Sequence, residues 1–280
     1  MTTVLDGGLS NALAARGHDL SDDLWTARLL RDAPDEIAAV HRAYFAAGAS
    51  VATTASYQAS VPGFVAAGVD RAEAEALLRR SVSLAREVVG ELATDGRERR
   101  VAASVGPYGA VLADGSEYRG RYGVSARDLR EFHLPRVELL AAAGPDLVED
   151  VHEDRGLVGV PAWLSFSVDG LHTRAGQPLE EAFAVAASCA SLVAVGVNCC
   201  RPDDVLPALE VARAVTGRPG VAYPNSGQGW DSGTHTWTGG TSYDVGLAPG
   251  WVAAGATYVG GCCQVGPSDI AALAEVLAAR

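Results

Sequence analysis

The sequence lacks an excess of positive charge. Its 280 residues include 22 Lys and Arg against 34 Asp and Glu, which gives a formal net charge of −12. An acidic surface repels the phosphate backbone of nucleic acids, and no basic cluster marks a membrane-binding surface. We therefore expect neither a nucleic-acid partner nor a membrane partner.

The chain also lacks an uninterrupted apolar run suited to crossing a bilayer. Two uncharged stretches, 182–200 and 245–268, are long, but the first contains polar residues and the second is broken by Gly and Pro. We predict that both lie in a buried interior rather than in a membrane. The first ten residues lack the charged and apolar regions of a signal peptide, so we expect a cytoplasmic protein.

Cysteine is scarce, with five residues in total: Cys189, Cys199, Cys200, Cys262 and Cys263. An odd number in a long chain argues against a disulfide framework and for a reducing compartment. Metal binding or thiol chemistry is then the stronger explanation for cysteines that share one place in the fold.

Hydrophobic residues are abundant, at 48% of the chain. Eight short apolar runs rich in β-forming residues recur, and most are followed by a helix-like stretch. Strands that alternate with helices predict an α/β fold with a parallel sheet, and eight such strands predict a (β/α)8 TIM-type barrel, here as one domain over 1–280. The predicted strands are 4–8, 50–56, 100–106, 146–150, 161–168, 192–199, 220–225 and 256–263.

The fourth crossover of this barrel is unusually short. Only residues 151–160 separate the fourth predicted strand from the fifth. A helix with two loops needs about a dozen residues or more. The sequence therefore predicts either an irregular barrel at this point or a chain from which residues have been lost.

Helix starts are indicated at four places, by Pro34 in a first turn, by the pairs Asp70/Glu73 and Ser125/Asp128, which are typical of capping boxes, and by Ser268 before the last helix.

Three motifs follow predicted strands one, six and eight: Asp6-Gly7-Gly8, Asn198-Cys199-Cys200 and Gly260-Gly261-Cys262-Cys263. The carboxyl ends of barrel strands are where barrel enzymes place their active sites. Asp6 has two interpretations, a residue of a strand-end turn or a contact to a substrate ammonium group. Gly260 and Gly261 are expected to let the backbone turn sharply and direct both cysteines to one point.

The cysteines themselves allow several interpretations. Cys199 and Cys262 are 63 positions apart, which is unlike the spacing of a zinc finger. On spacing alone, Cys199, Cys262 and Cys263 are as compatible with buried packing as with metal binding, and a Cys262–Cys263 redox pair is a strained alternative. Their position at strand ends favours a zinc site, with three thiolates and one open position, as in catalytic zinc centres.

Such a site suits chemistry on a thiol. A free thiol is mostly protonated at neutral pH, and binding to zinc removes the proton. The bound sulfur can then attack an activated methyl group without a separate general base. Cys200, which should point away from Cys199, and Cys189, expected within an apolar helix, are predicted to pack as small hydrophobic residues.

Other polar residues near strand ends are weaker candidates. Tyr57 follows the second strand, and Tyr223 and Asn225 lie at the end of the seventh, so each either lines the pocket or packs. Four histidines lack the sequence spacing of metal ligands, and we expect them to be solvated: His133, His152, His172 and His235.

At this point the sequence resembles the homocysteine S-methyltransferase family over nearly its whole length. The resemblance depends on LDGG at 5–8, TASYQA at 54–59, SVGPYGAVLADGSEYRGRY at 104–122, GVNC at 196–199, YPNSG at 223–227 and GGCC at 260–263. The central block and YPNSG are most similar to the branch that uses S-methylmethionine as methyl donor.

The resemblance implies a barrel with zinc held by Cys199, Cys262 and Cys263, and homocysteine as a fourth, thiolate ligand. It also implies that Asp6 lies near the amino group of homocysteine, and that Tyr57 and Asn198 shape the pocket. We carry Gly7, Tyr223 and Asn225 as further substrate contacts. The implied reaction is methyl transfer from a sulfonium donor, S-methylmethionine or S-adenosylmethionine, to homocysteine, which forms methionine.

One departure from the family pattern coincides with the short crossover. The family has a Glu-Thr pair at the end of strand four, where the Glu helps to bind the amine, and this chain has no such pair at 146–152. Three explanations stay open: an absent loop, substitution by Glu149 or Asp150, or an altered function. The last includes a different thiol or selenol acceptor and a zinc-binding or thiol-binding protein without catalysis.

Overall fold

The computed structural model describes residues 2–22, 24–112, 115–116, 120–150, 159–187, 189–231 and 236–279. Eight parallel strands form the central sheet, and their bounds are β1 Thr3–Val4, β2 Val51–Thr53, β3 Arg100–Val105, β4 Leu147–Asp150, β5 Ala162–Phe166, β6 Leu192–Asn198, β7 Gly220–Tyr223 and β8 Ala256–Val259.

These strands close into a barrel. Their order is β1-β8-β7-β6-β5-β4-β3-β2, and a parallel bridge between Leu5 and Val51 joins the two ends of the sheet. The predicted (β/α)8 barrel is therefore confirmed. Most strands are shorter than predicted, because motifs such as Gly260–Cys263 lie in the loops that follow the strands.

Helices surround the barrel: α1 Leu9–Ala15, α2 Thr26–Asp32, α3 Pro34–Ala46, α4 Val61–Ala66, α5 Arg71–Glu91, α6 Tyr108–Leu112, α7 Ala126–Ala142, α8 Leu179–Ala187, α9 Pro202–Thr216, α10 Ala248–Ala253 and α11 Pro267–Ala278. Within the described chain, none of these helices is long and apolar enough to span a membrane.

The predicted helix starts are mostly confirmed. Pro34 begins α3, Ser125 and Asp128 form a reciprocal capping box, and Asp70 accepts from the backbone N–H groups that open α5. Ser268 as a cap is wrong. Pro267 occupies the first position of α11, so the cap is one residue earlier, and the Asp269 carboxylate accepts from the Gly266 N–H at 2.8 Å.

Side chains inside the barrel form their own small core, separate from the layer between strands and helices. Its members are Leu5, Val51, Ala102, Leu147, Trp163, Ala194, Val221 and Tyr223. Because successive residues of a strand point to opposite faces, the polar residues two positions further along also face inward, toward the carboxyl end. Glu149 in β4 and Ser165 in β5 are such residues, and both are buried.

The short fourth crossover is confirmed. β4 and β5 are adjacent and parallel, with Glu149 opposite Trp163, although only residues 151–161 connect them. Residues 151–158 of this crossover lie outside the described part of the chain.

Candidate metal centre

Three cysteine sulfurs meet at the carboxyl end of the barrel. The Sγ atoms of Cys199, Cys262 and Cys263 all lie within 4.8 Å of one another, and no other group of three potential ligands was found among the described residues. Cys199 follows β6, and the other two lie in the loop after β8. The motifs that were predicted to converge therefore do so.

Two of the three sulfur–sulfur distances fit a shared metal. The Cys263 Sγ lies 3.5 Å from that of Cys199 and 3.9 Å from that of Cys262. A tetrahedral zinc with Zn–S bonds of about 2.3 Å places its sulfurs about 3.8 Å apart. Cys199 and Cys262 are joined as a disulfide, and metal binding requires this pair in the reduced form. A Cys262–Cys263 bond is absent.

The loop after β7 holds the cysteine loops together. The Cys199 N–H donates to the Tyr223 carbonyl (3.1 Å) and the Cys262 N–H to the Pro224 carbonyl (2.8 Å). The side-chain amide of Asn225 donates to the Cys199 carbonyl at 3.2 Å. The substrate contact predicted for Asn225 stays a prediction, and the structure places its amide on the backbone of a cysteine of the cluster. The backbone of Cys199 itself has a φ of 45°, in the left-handed region.

Glycines let the loops after β1 and β8 lie against each other. A Cβ at Gly8 would be 2.6 Å from the Cys262 carbonyl oxygen, and one at Gly260 would be 2.6 Å from the Leu5 Cβ. Gly7 is equally confined, since its Cβ would be 2.3 Å from the Val265 carbonyl oxygen. Gly260 and Gly261 have no positive φ. Close approach, rather than the predicted sharp turn, explains these glycines.

The two remaining cysteines take no part in the cluster. Cys200 is fully buried among apolar residues of the outer core, as predicted. Cys189 was predicted inside a helix, but α8 ends at Ala187, and the half-buried Cys189 lies beyond it, 3.3 Å from the Ser191 hydroxyl.

Asp6 lies at the end of β1 and joins it to β2. Its carboxylate accepts from the Thr53 N–H and from the Thr53 hydroxyl, each at 2.7 Å. Burial raises the pKa of Asp6 to about 7; the two bonds from Thr53 oppose this rise, and the negative charge of Glu149 adds to it. A capping role and a substrate role are both compatible with this geometry, because each oxygen can accept a second hydrogen bond.

Glu149 is the second carboxylate of the barrel interior. Its side chain is 4% exposed, and its Oε2 atom has no hydrogen-bond partner among the residues that the structure describes. Burial raises the pKa of Glu149, while hydrogen bonds with Ser104 and Tyr223 lower it. A buried carboxylate with an unpartnered oxygen needs an explanation, and a cationic ligand supplies one.

Tyr223 forms the floor between these groups. Its hydroxyl accepts from the Trp163 indole N–H at 3.2 Å and shares a hydrogen bond with the Ser165 hydroxyl. Sequence reasoning missed Trp163, Ser165 and Thr53. A signal for the first two was present, since they are two positions apart in one strand and so face the same side.

The other predicted pocket residues lie nearby. Asn198 ends β6 and is buried, with its side-chain oxygen 3.5 Å from the Ser167 hydroxyl. Tyr57 is half-buried, and its ring packs on Gly106.

Among the histidines predicted to be solvated, His172 is exposed, but the prediction for His133 is wrong. His133 lies on the inward face of α7, one turn from Arg136 and Val137, and is 1% exposed. His152 and His235 lie outside the described residues.

Comparison with known proteins agrees with this geometry. The family model described as homocysteine S-methyltransferase matches residues 3–277. Homocysteine S-methyltransferase 4 of Zea mays is 43% identical, in an alignment that covers 98% of this chain and 89% of the maize protein. The Escherichia coli homocysteine S-methyltransferase is 42% identical, over 96% of this chain and 93% of the bacterial protein. The selenocysteine Se-methyltransferase of Brassica oleracea is 38% identical, covering 99% and 89%. The alignments span 304, 289 and 309 positions, so these relatives contain residues that this 280-residue chain lacks.

Solved structures give the same result. The metallated form of the homocysteine methyltransferase MmuM from Escherichia coli superposes with a TM-score of 0.87 at 39% identity, covering 98% of this chain and 96% of its own. Its oxidised form superposes with the same TM-score at 40% identity and the same coverage. With the barrel, the cysteine cluster and these matches together, the chain belongs to the homocysteine S-methyltransferase family.

Proposed function

We propose that this protein transfers a methyl group from a sulfonium donor to the sulfur of homocysteine, forming methionine, and that Cys199, Cys262 and Cys263 hold a zinc ion for this purpose. The convergence of three sulfurs at the carboxyl ends of β6 and β8 carries the proposal. We propose zinc because thiolate ligands suit it, and because the two separations from Cys263, 3.5 Å and 3.9 Å, are near those of tetrahedral zinc ligands. Because the ligands must be reduced thiols, we also propose a cytoplasmic location.

When bound, zinc supplies one thing, the loss of the proton from the homocysteine thiol at neutral pH, which leaves a nucleophilic sulfur. The protein contributes the rest. Its three cysteines leave a fourth position open, and the loop after β7 fixes their backbones through the Tyr223 and Pro224 carbonyls. The acceptor sulfur is thereby held at one point of the barrel mouth.

The amino group of homocysteine is held by two buried carboxylates. Asp6 and Glu149 repel each other electrostatically, as the effect of Glu149 on the pKa of Asp6 indicates. An ammonium group at this place relieves that repulsion and gives the free Oε2 atom of Glu149 a donor. Glu149 then substitutes for the family glutamate that this chain lacks at the end of strand four.

The transfer is a direct displacement. The acceptor sulfur forms a bond to the methyl carbon while the bond from that carbon to the sulfonium sulfur breaks. The electron pair of the broken bond stays on the donor sulfur, which becomes a neutral thioether. With S-methylmethionine as donor, both products are methionine, and we favour this donor because the central motif block resembles the branch that uses it.

The test supplies purified protein with homocysteine and S-methylmethionine carrying a deuterated methyl group, and follows labelled methionine by mass spectrometry. We expect label in methionine, its loss after chelation and its return when zinc is added. Full activity in metal-free protein contradicts the proposal. The same assay with S-adenosylmethionine distinguishes the two donors.

A second candidate acceptor is a selenol, favoured by the similarity to the Brassica selenocysteine Se-methyltransferase. Competition between homocysteine and selenocysteine at equal concentration ranks the two acceptors. A protein that binds zinc and thiols without catalysis forms no labelled methionine from either donor, which separates that alternative from both enzymes.

A further inference from the structure

Arg136 connects helix α7 to two loops at the barrel mouth. Its side chain is 2% exposed. The guanidinium group donates to the Gly106 carbonyl (2.9 Å) in the loop after β3, and to the Ser56 carbonyl (2.6 Å) and the Tyr57 carbonyl in the loop after β2. One planar cation therefore serves three backbone oxygens from two consecutive loops, a geometry that a guanidinium group provides and an ammonium group does not.

The contacts of Arg136 also fix the position of Tyr57 against Gly106. A Cβ at Gly106 would lie 2.3 Å from the Tyr57 carbonyl oxygen and 2.7 Å from its ring. The backbone and the ring of Tyr57 thus both pack against Gly106 on the side where any other residue would carry its Cβ. Since the carbonyls of residues 57 and 106 face the same guanidinium group, its removal frees both loops at once.

Hydrogen bonds of hydroxyl groups connect these loops to strand β3 inside the barrel. The Ser56 hydroxyl donates to the Ser104 carbonyl at 2.7 Å, and the Ser104 N–H donates to the Thr54 hydroxyl at 3.0 Å. Ser104 in turn lies opposite Glu149 in the sheet and is hydrogen-bonded to its carboxylate. The loops held by Arg136 are therefore connected directly to the strand end that faces Glu149.

We infer that Arg136 is a positioning residue for the acceptor pocket: through the Ser56, Tyr57 and Gly106 carbonyls it fixes Tyr57 and the β3 end that contacts Glu149. This inference rests on the proposed function, in which Glu149 holds the amino group of homocysteine, and on the prediction that Tyr57 shapes the same pocket. The hydrogen bonds of Arg136 to the Gly106, Ser56 and Tyr57 carbonyls all serve the loops after β2 and β3 rather than the cysteine loops, so its loss should affect acceptor binding more than metal content.

Arg218 provides a matched control at the opposite end of the barrel. Its guanidinium group also donates to two backbone carbonyls, those of Leu192 and Cys189. Arg218 precedes β7, and Leu192 begins β6, so this contact lies at the amino ends of the strands. In barrel enzymes that end contributes to stability rather than to chemistry.

The experiment compares Arg136→Ala, Arg136→Lys and Arg218→Ala in the zinc-loaded enzyme. For Arg136→Ala we expect the KM for homocysteine to rise about tenfold with zinc content unchanged, a smaller rise for Arg136→Lys, and partial restoration of Arg136→Ala by added guanidinium ion at millimolar concentration. Arg218→Ala lowers the melting temperature and leaves KM unchanged. Equal KM values in the Arg136 variants and wild type, or equal rises in the Arg136 and Arg218 variants, overturn the inference.

Hydrogen exchange separates this inference from the proposed function. The amides of residues 56–58 and 104–106 are expected to exchange at least about tenfold faster in Arg136→Ala than in wild type, and at the wild-type rate in Arg218→Ala. Unchanged exchange at these amides overturns the role of Arg136 whether or not the enzyme makes methionine. If wild type makes no methionine but exchange rises as expected, the proposed function fails while Arg136 keeps its role in ordering the loops.

Discussion

The two sides of the barrel mouth are built in different ways. On the side of β6 and β8, three sulfurs are placed by backbone contacts, because the loop after β7 binds the cysteine loops through main-chain groups and glycines allow them to approach. On the side of β1 and β4, two carboxylates are placed by side-chain contacts with Thr53, Ser104 and Tyr223. On the sulfur side the three cysteines contact one another. On the acidic side the Oε2 atom of Glu149 has no hydrogen-bond partner among the described residues, so a ligand can use it.

This difference predicts separable defects: variants on the sulfur side lose metal and all activity, and variants on the acidic side keep metal and bind the acceptor weakly.

The largest effect is expected for Cys263→Ser. Removal of one of three thiolates leaves a poor zinc ligand, so we expect zinc content to fall below stoichiometric and activity to drop by at least about 100-fold. Metal analysis and the labelled-methyl assay measure both. Cys200→Ala is the control, since that sulfur is buried in the outer core and should be needed for neither. Normal zinc content in Cys263→Ser contradicts the assigned ligand set.

Asp6→Asn tests the acidic side. The variant loses the charge that attracts the ammonium group, and a hydrogen bond to a charged group is worth about 1.5–3 kcal/mol, so the KM for homocysteine should rise roughly 10- to 100-fold. Zinc content should stay stoichiometric. Asp146→Asn changes a carboxylate that also accepts a backbone N–H from the neighbouring strand, that of Val101 at 2.7 Å, but lies just before β4 at the amino ends of the strands, and its KM should be that of wild type. Loss of zinc in Asp6→Asn would contradict the separation, because a change on the acidic side would then disturb the metal site.

Glu149→Gln should give opposite effects on stability and binding. Because burial raises the pKa of Glu149 above its value in the unfolded chain, the carboxyl lowers the stability of the free protein at neutral pH, and the neutral amide of similar shape removes that penalty. We expect a higher melting temperature together with a KM for homocysteine raised about tenfold. Thermal unfolding and steady-state kinetics test the pair of effects, and an unchanged KM would assign Glu149 to the barrel floor alone.

His41 serves as a comparison for Glu149, because it is a buried polar side chain in an outer helix and not at the barrel mouth. It is fully buried in α3, neither ring nitrogen has a hydrogen-bond partner within the described part of the chain, and burial lowers its pKa from 6.5 to about 4. The unfolded chain therefore binds more protons between these two pH values. The contribution of His41 to the free energy of unfolding is therefore highest above pH 6.5, where the imidazole is neutral in both states. As the pH falls from 6.5 to about 4, the free energy of unfolding decreases by about 1.4 kcal/mol per pH unit.

His41→Leu should flatten the dependence of unfolding free energy on pH over that range, as measured by urea denaturation, and leave the KM for homocysteine unchanged. A raised KM in this variant would show that loss of a buried polar group anywhere disturbs the mouth, and would remove the distinction that Glu149→Gln is designed to show.

Sequence predicted the sulfur side better than the acidic side for a physical reason. Cys199, Cys262 and Cys263 stand in short motifs that follow strands, and parallel strands bring their carboxyl ends together whatever their exact register. Glu149 faces inward only because of the pleat and closure of β4, and its neighbours Ser104 and Tyr223 come from strands distant in sequence. Arg136 was not predicted, because a charged residue in an amphipathic helix is usually solvated.

The most direct test of the account is zinc-edge X-ray absorption of the purified protein with and without homocysteine. We predict three sulfur neighbours at about 2.3 Å in the free enzyme and four after homocysteine is added, with two in Cys263→Ser before addition. A zinc ion whose sulfur count does not change on addition of homocysteine, or a protein that purifies without stoichiometric zinc and cannot be loaded, would contradict the claim that the three cysteines and the acceptor sulfur share one metal.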